Sequence, residues 1–127
     1  TTIGIYLRGQ VYYAATKGGK NKRPDADTPL YFVPLPNYTG NGVFCRGNVQ
    51  LPAEARPKNI PAWEDFLWST VNTHMGRATL DGVGTMQDMV ALYRQVEQSG
   101  RFPVSKLIPM EMTLSEWMHS LDRRRGA

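Results

Sequence analysis

The apolar residues of this chain change period near its middle. From Thr2 to about Leu51 they follow strands and turns. Ile3, Ile5 and Leu7 alternate with Gly4 and Tyr6, the period of two expected of a half-buried strand. Arg8-Gly9 turns the chain into a second run, Gln10 to Ala15, rich in valine and tyrosine. A polar loop follows from Thr16 to Pro29, and Leu30-Tyr31-Phe32-Val33 reads as a third short strand. Pro34 and Pro36 end it, because proline has no amide hydrogen to give to a ladder. A glycine-rich stretch then leads to Cys45, and Asn48 to Leu51 closes the first half.

From about Pro61 the spacing becomes helical. Pro61 suits a first helical turn, and Trp63, Phe66, Leu67 and Val71 form one stripe at intervals of three and four. Asn72 to Gly84 reads as a loop. Thr85 with Asp88 three residues on is an N-cap signal, Met89, Leu92, Tyr93 and Val96 supply a buried face, and Gly100 is a stop. Thr113 and Glu116 make a capping box for a last helix burying Leu114, Trp117, Met118 and Leu121. An antiparallel strand meander followed by helices is an α+β arrangement.

At 127 residues and 41% hydrophobic, the chain is expected to form a single domain, residues 1–127, with a packed core. It begins with Thr1-Thr2, which suggests a processed or truncated piece of a longer protein. No apolar run is long enough to span a membrane, so no membrane partner is expected. One cysteine excludes an internal disulfide and fits a reducing cytoplasm. The net charge of +4 is concentrated in Lys17, Lys20, Lys22 and Arg23 and in Arg123-Arg124-Arg125. Neither cluster is interleaved with aromatic residues, so solvated surface is the better reading and nucleic acid is not expected as a partner.

The chemistry concentrates in Pro36-Asn37-Tyr38-Thr39-Gly40-Asn41-Gly42-Val43-Phe44-Cys45. This segment resembles the active-site stretch of ubiquitin-conjugating enzymes, with Pro36 and Asn37, Gly42 and Cys45 matching in type and spacing. Leu35 stands where that family usually has histidine. A wider frame also recurs in order: Arg23-Pro24-Asp25-Ala26-Asp27-Thr28-Pro29-Leu30-Tyr31, Gly47, Leu51-Pro52, Trp63-Glu64, Phe66, Ser69 and Thr73-His74. Arg101 to Val104, Leu107 to Pro109 and Thr113-Leu114 continue it. This frame is similar to the prokaryotic relatives of ubiquitin-conjugating enzymes known as PRTRC system protein B, which are encoded on plasmids and other mobile elements.

The resemblance implies a ubiquitin-conjugating-enzyme-like fold and a carrier step in a bacterial ubiquitin-like pathway. Cys45 would accept a ubiquitin-like protein as a thioester from an activating-enzyme homologue and pass it to an amine. A JAB-type protease homologue belongs to the same system. Such a thiolate must be reachable by a large partner, which suits a loop with Gly40, Asn41 and Gly42. Asn37 is a donor suited to the oxyanion or to holding the loop. No cofactor is implied, since ATP is consumed by the activating partner. The alternatives are a catalytically silent module of the same fold that binds a ubiquitin-like protein or assembly partner, and a Cys45 that is simply an apolar core residue.

His74, Asp27 and Tyr38 are accessory candidates. His74 is either a base near the thiol or a helix-terminal residue on the dipole. Asp25 and Asp27 act on an amine or, as aspartates in proline-flanked loops usually do, cap and turn. Tyr38 lines a thioester channel or packs in the core. His119 reads as surface, and Trp68, off the main stripe, as a residue for a partner interface. Two histidines and one cysteine offer no metal-ligand spacing, and no nucleotide-binding motif is present.

Overall fold

A computed structural model describes residues 2–7, 9–19, 22–38, 42–45, 49–52, 54, 56–70 and 79–123. Strands β1 (Thr2–Leu7) and β2 (Gln10–Ala15) form a hairpin in the register Leu7 to Gln10. Its turn uses Gly9 at φ 79°, a left-handed conformation that glycine adopts without a side-chain clash. Strand β3 (Pro29–Tyr31) is shorter than the run of apolar residues suggests. It meets β2 only at Ala15–Tyr31, although Phe32 still donates to the Ile108 carbonyl at 3.0 Å.

Among the described residues three α-helices follow: α1 (Ile60–Ser69), α2 (Met86–Ser99) and α3 (Leu114–Arg123). The expected caps form. Thr85 Oγ1 accepts from the Asp88 amide at 3.1 Å, and Gly100 stops α2 at φ 68°. Thr113 and Glu116 exchange hydrogen bonds across the first turn of α3.

Between α2 and α3 lies a strand that the hydrophobic pattern does not reveal. This is β4 (Pro109–Thr113), which pairs with β3 and completes an antiparallel sheet of order β1-β2-β3-β4. The α+β class is as expected, with the sheet drawing its fourth strand from the helical half. Glu111 sits at φ 59° inside β4, where the pairing with β3 shifts register: Pro29 faces Thr113 and Tyr31 faces Pro109.

β2 is buried on both faces. Val11, Tyr13 and Ala15 pack with Val33, Leu35, Phe66 and Leu67 of the α1 side. Tyr12 and Ala14 pack with Leu30, Met110, Trp117 and Leu121 of the α3 side. That double burial explains why Gln10 to Ala15 is a nearly continuous apolar run. A third cluster, Leu80, Val83, Met89, Leu92 and Leu107, lies under α2.

Met118 departs from expectation: it is 54% exposed, because Trp117 and Leu121 take the sheet-facing line of α3 and leave Met118 on its flank. Trp68 is 65% exposed, consistent with its place off the α1 stripe. Val71, the last residue of that stripe, lies outside the described residues. Among the described residues, no helix is long and apolar enough to cross a membrane.

Candidate active site: the cysteine loop

Because β3 leaves β2 after Tyr31, the neighbouring part of β2 has an open edge. The cysteine segment fills it. Val43 bridges Tyr12, and the Phe44 amide donates to the Val11 carbonyl at 2.9 Å. On its other side Phe44 bridges Tyr38 in antiparallel fashion, and the Cys45 amide donates to the Asn37 carbonyl at 2.7 Å. The eight-residue interval from Asn37 to Cys45 therefore separates two legs that pair with each other, the returning one docked on the sheet.

Two residues in this loop have backbone conformations that few side chains tolerate. Asn37 is at φ 65°, a region that asparagine enters more readily than most residues, and it is only 2% exposed. Gly42 is at φ 80°, and any Cβ there would collide with the Tyr13 carbonyl oxygen and touch the Trp117 ring. Gly42 thus serves close backbone approach as well as conformation.

Along the returning leg, burial alternates. Phe44 is buried among Tyr13, Tyr38 and Phe66, with ring centroids at 5.8, 5.3 and 5.5 Å. Cys45, next in the chain, is only partly buried. Successive residues of an extended segment face opposite sides, so the packing that anchors Phe44 directs Cys45 away from that core.

The outgoing leg is held from α2 and from the segment that precedes it. The Tyr93 hydroxyl donates to the Pro34 carbonyl, and Thr79 Oγ1 lies 3.4 Å from the Leu35 carbonyl. Burial pushes the Tyr93 phenol up to about 12 and Tyr13 likewise to about 12. Leu35, in the position where a histidine was the comparison, is buried in the α1-side core.

The sequence candidates separate clearly. Asn37 and Cys45 are brought together by a backbone hydrogen bond. Tyr38 is 1% exposed in the core beneath the loop, and its hydroxyl has no hydrogen-bond partner among the described residues. Its phenol is pushed up, chiefly by burial and further by Tyr13 and Tyr93. Asp27 is exposed and donates its amide to Asp25 Oδ1 at 3.0 Å. Its loop seats the start of α3, where Leu114 and Ser115 amides donate to the Thr28 and Ala26 carbonyls at 3.0 Å each. Among the described residues no contact joins Asp27 to the cysteine loop. His74 lies outside the described residues. Tyr93 and Thr79 carry no sequence signal for their contacts with the loop, being 59 and 44 residues from their acceptors.

An antiparallel sheet covered by helices on both faces, with a partly exposed cysteine closing a Pro-Asn loop, fits an E2-like domain. The chain belongs to prokaryotic E2 family D, whose model matches residues 5–110. That span runs from β1 into β4 and includes the whole cysteine loop with α1 and α2. No curated protein and no solved structure matches the chain.

Proposed function

We propose that this chain carries a ubiquitin-like protein as a thioester on Cys45, within a bacterial system of the PRTRC type. The Cys45 thiolate attacks the thioester carbonyl presented by an activating enzyme, and that enzyme's thiolate leaves. An acceptor amine then attacks the new thioester. The Cys45 thiolate departs, the amine nitrogen gives up a proton to solvent or a base, and an amide results. Asn37 stabilises the tetrahedral oxyanion or holds the loop that presents the sulfur. A JAB-type protease homologue would act in the same system on the conjugated product.

The observation that carries this reading is the position of Cys45. It is partly exposed, and it lies at the closing point of a loop fixed by the Asn37 carbonyl, in a chain of an E2 family. A structural cysteine would more often be fully buried.

The test is to incubate the protein with its cognate activating enzyme, ubiquitin-like protein and ATP, then look for a thiol-sensitive adduct. The expected result is an adduct with wild type and none with Cys45→Ala. An adduct equally abundant in Cys45→Ala would sink the carrier reading. So would no adduct at all, and binding of the ubiquitin-like protein without one would leave the silent module in its place.

A further inference from the structure

Pro34-Leu35-Pro36, the root of the cysteine loop, has few means of fixing its own position. Pro34 and Pro36 have no amide hydrogen, and the Leu35 amide is used on the Val33 carbonyl at 2.8 Å. The Leu35 side chain is apolar and buried, so it supplies no polar anchor. The segment belongs to no strand or helix. What remains available is its carbonyl groups, and these are met from outside.

The Tyr93 hydroxyl, from the middle of α2, donates to the Pro34 carbonyl. The fully buried Thr79 adds a contact to the Leu35 carbonyl whose 3.4 Å length is long for a hydroxyl donor. The Tyr93 ring is itself seated against Phe102, with centroids 6.2 Å apart. A phenol is protonated through the physiological range, and burial raises this one further, so the donor stays in place. Two residues past Leu35 the chain reaches Asn37, whose carbonyl holds the Cys45 amide.

We propose that Tyr93 is a positioning residue for Cys45: its hydroxyl fixes Pro34, and through that segment the Asn37 carbonyl and the cysteine that hangs from it. The consequence for acyl transfer rests on the carrier reading, whereas the hold on the cysteine does not. A residue acting this way touches neither the thioester nor the amine.

The experiment compares full-length wild type, Tyr93→Phe and Phe102→Leu. Phe at 93 keeps the ring and removes only the donor. Leu at 102 loosens the same ring's packing and keeps the donor. Cys45 alkylation by iodoacetamide is followed under conditions where all three are folded by circular dichroism. Tyr93→Phe is expected to react roughly two- to tenfold faster, the factor that one net hydrogen bond is worth. Phe102→Leu is expected to react at the wild-type rate whatever its loss of thermal stability. In the loading reaction Tyr93→Phe should lower kcat with an unchanged KM for the charged activating enzyme.

Wild-type alkylation in Tyr93→Phe overturns the proposal, as does an equal acceleration in Phe102→Leu, which would mean that packing alone matters. If wild type forms no thioester, the carrier reading falls, and the alkylation comparison still decides the role of Tyr93.

Discussion

The Cys45 amide donates to the Asn37 carbonyl at 2.7 Å, and Asn37 makes that bond from a left-handed backbone at φ 65°. The two residues that define the motif are therefore coupled through main chain before any side-chain chemistry is considered. Asparagine is suited to both demands. Its side chain tolerates the left-handed region, and its amide is a hydrogen-bond donor. The backbone role is visible in the geometry, and the oxyanion role is the part that needs a transfer assay.

Substitution at Asn37 separates these roles. Asn37→Ala places a Cβ residue with no compensating local hydrogen bond at φ 65°, at a cost of about 1–2 kcal/mol. Asn37→Gly relieves the backbone while also removing the amide. Urea denaturation should rank glycine above alanine. In a transfer assay Asn37→Gly should load Cys45 and discharge it to an amine on the order of 10²-fold more slowly. Wild-type discharge by the glycine variant would reduce Asn37 to its backbone role.

Gly42→Ala meets two penalties at once, a positive φ and a collision with the Tyr13 carbonyl. The sum should destabilise the protein by about 2–4 kcal/mol. Because Gly42 docks the loop on β2, the loss should also appear as faster alkylation of Cys45 before global unfolding. A Gly42→Ala protein with wild-type stability would mean that the loop does not lie against Tyr13 as described.

These two positions explain why the site is legible in the sequence while much around it is not. Asn37, Gly42 and Cys45 answer local backbone demands inside one loop, so spacing and residue type reveal them together. The same holds for Thr85, Gly100 and the Thr113–Glu116 box, whose capping partners lie within four residues. By contrast, β4 pairs with a strand from the first half of the chain, and Glu111 at φ 59° lies where that pairing shifts register. No window of sequence contains that pairing. The hydrogen bond from Tyr93 to Pro34 is hidden for the same reason. Tyr93 reads only as a helix core position, and nothing local reports that its hydroxyl reaches the loop. Met118 fails differently: the stripe is read correctly, but only part of its width is covered by the sheet.

Tyr38 supplies an unusual prediction, a substitution that stabilises. Its hydroxyl is buried without a partner among the described residues, while its ring packs edge-on to Tyr13 at 6.3 Å and tilted on Phe44 at 5.3 Å. Tyr38→Phe keeps both ring contacts and removes an unsatisfied polar group, which should add about 1 kcal/mol. For a chain of this length that corresponds to roughly 3–5 °C in Tm by calorimetry. A lower Tm would show that the hydroxyl has a stabilising partner.

Alkaline pH should act on the same aromatic layer. Tyr13 and Tyr93 have their phenols raised from 10.0 to about 12 by burial, and Tyr38 is pushed up as well. The folded protein thus keeps protons that the unfolded chain releases above pH 10. Unfolding then liberates protons, so stability is fully present below pH 10 and is lost as pH rises toward 12. For Tyr13, which is buried, the slope reaches up to about 1.4 kcal/mol per pH unit. Urea midpoints measured at half-unit steps from pH 9 to 12 should fall through this window. Tyr13→Phe removes one contributor and should flatten the fall, with phenolate absorbance showing one fewer late-titrating group. An identical fall in Tyr13→Phe would assign the alkaline loss to groups outside this core.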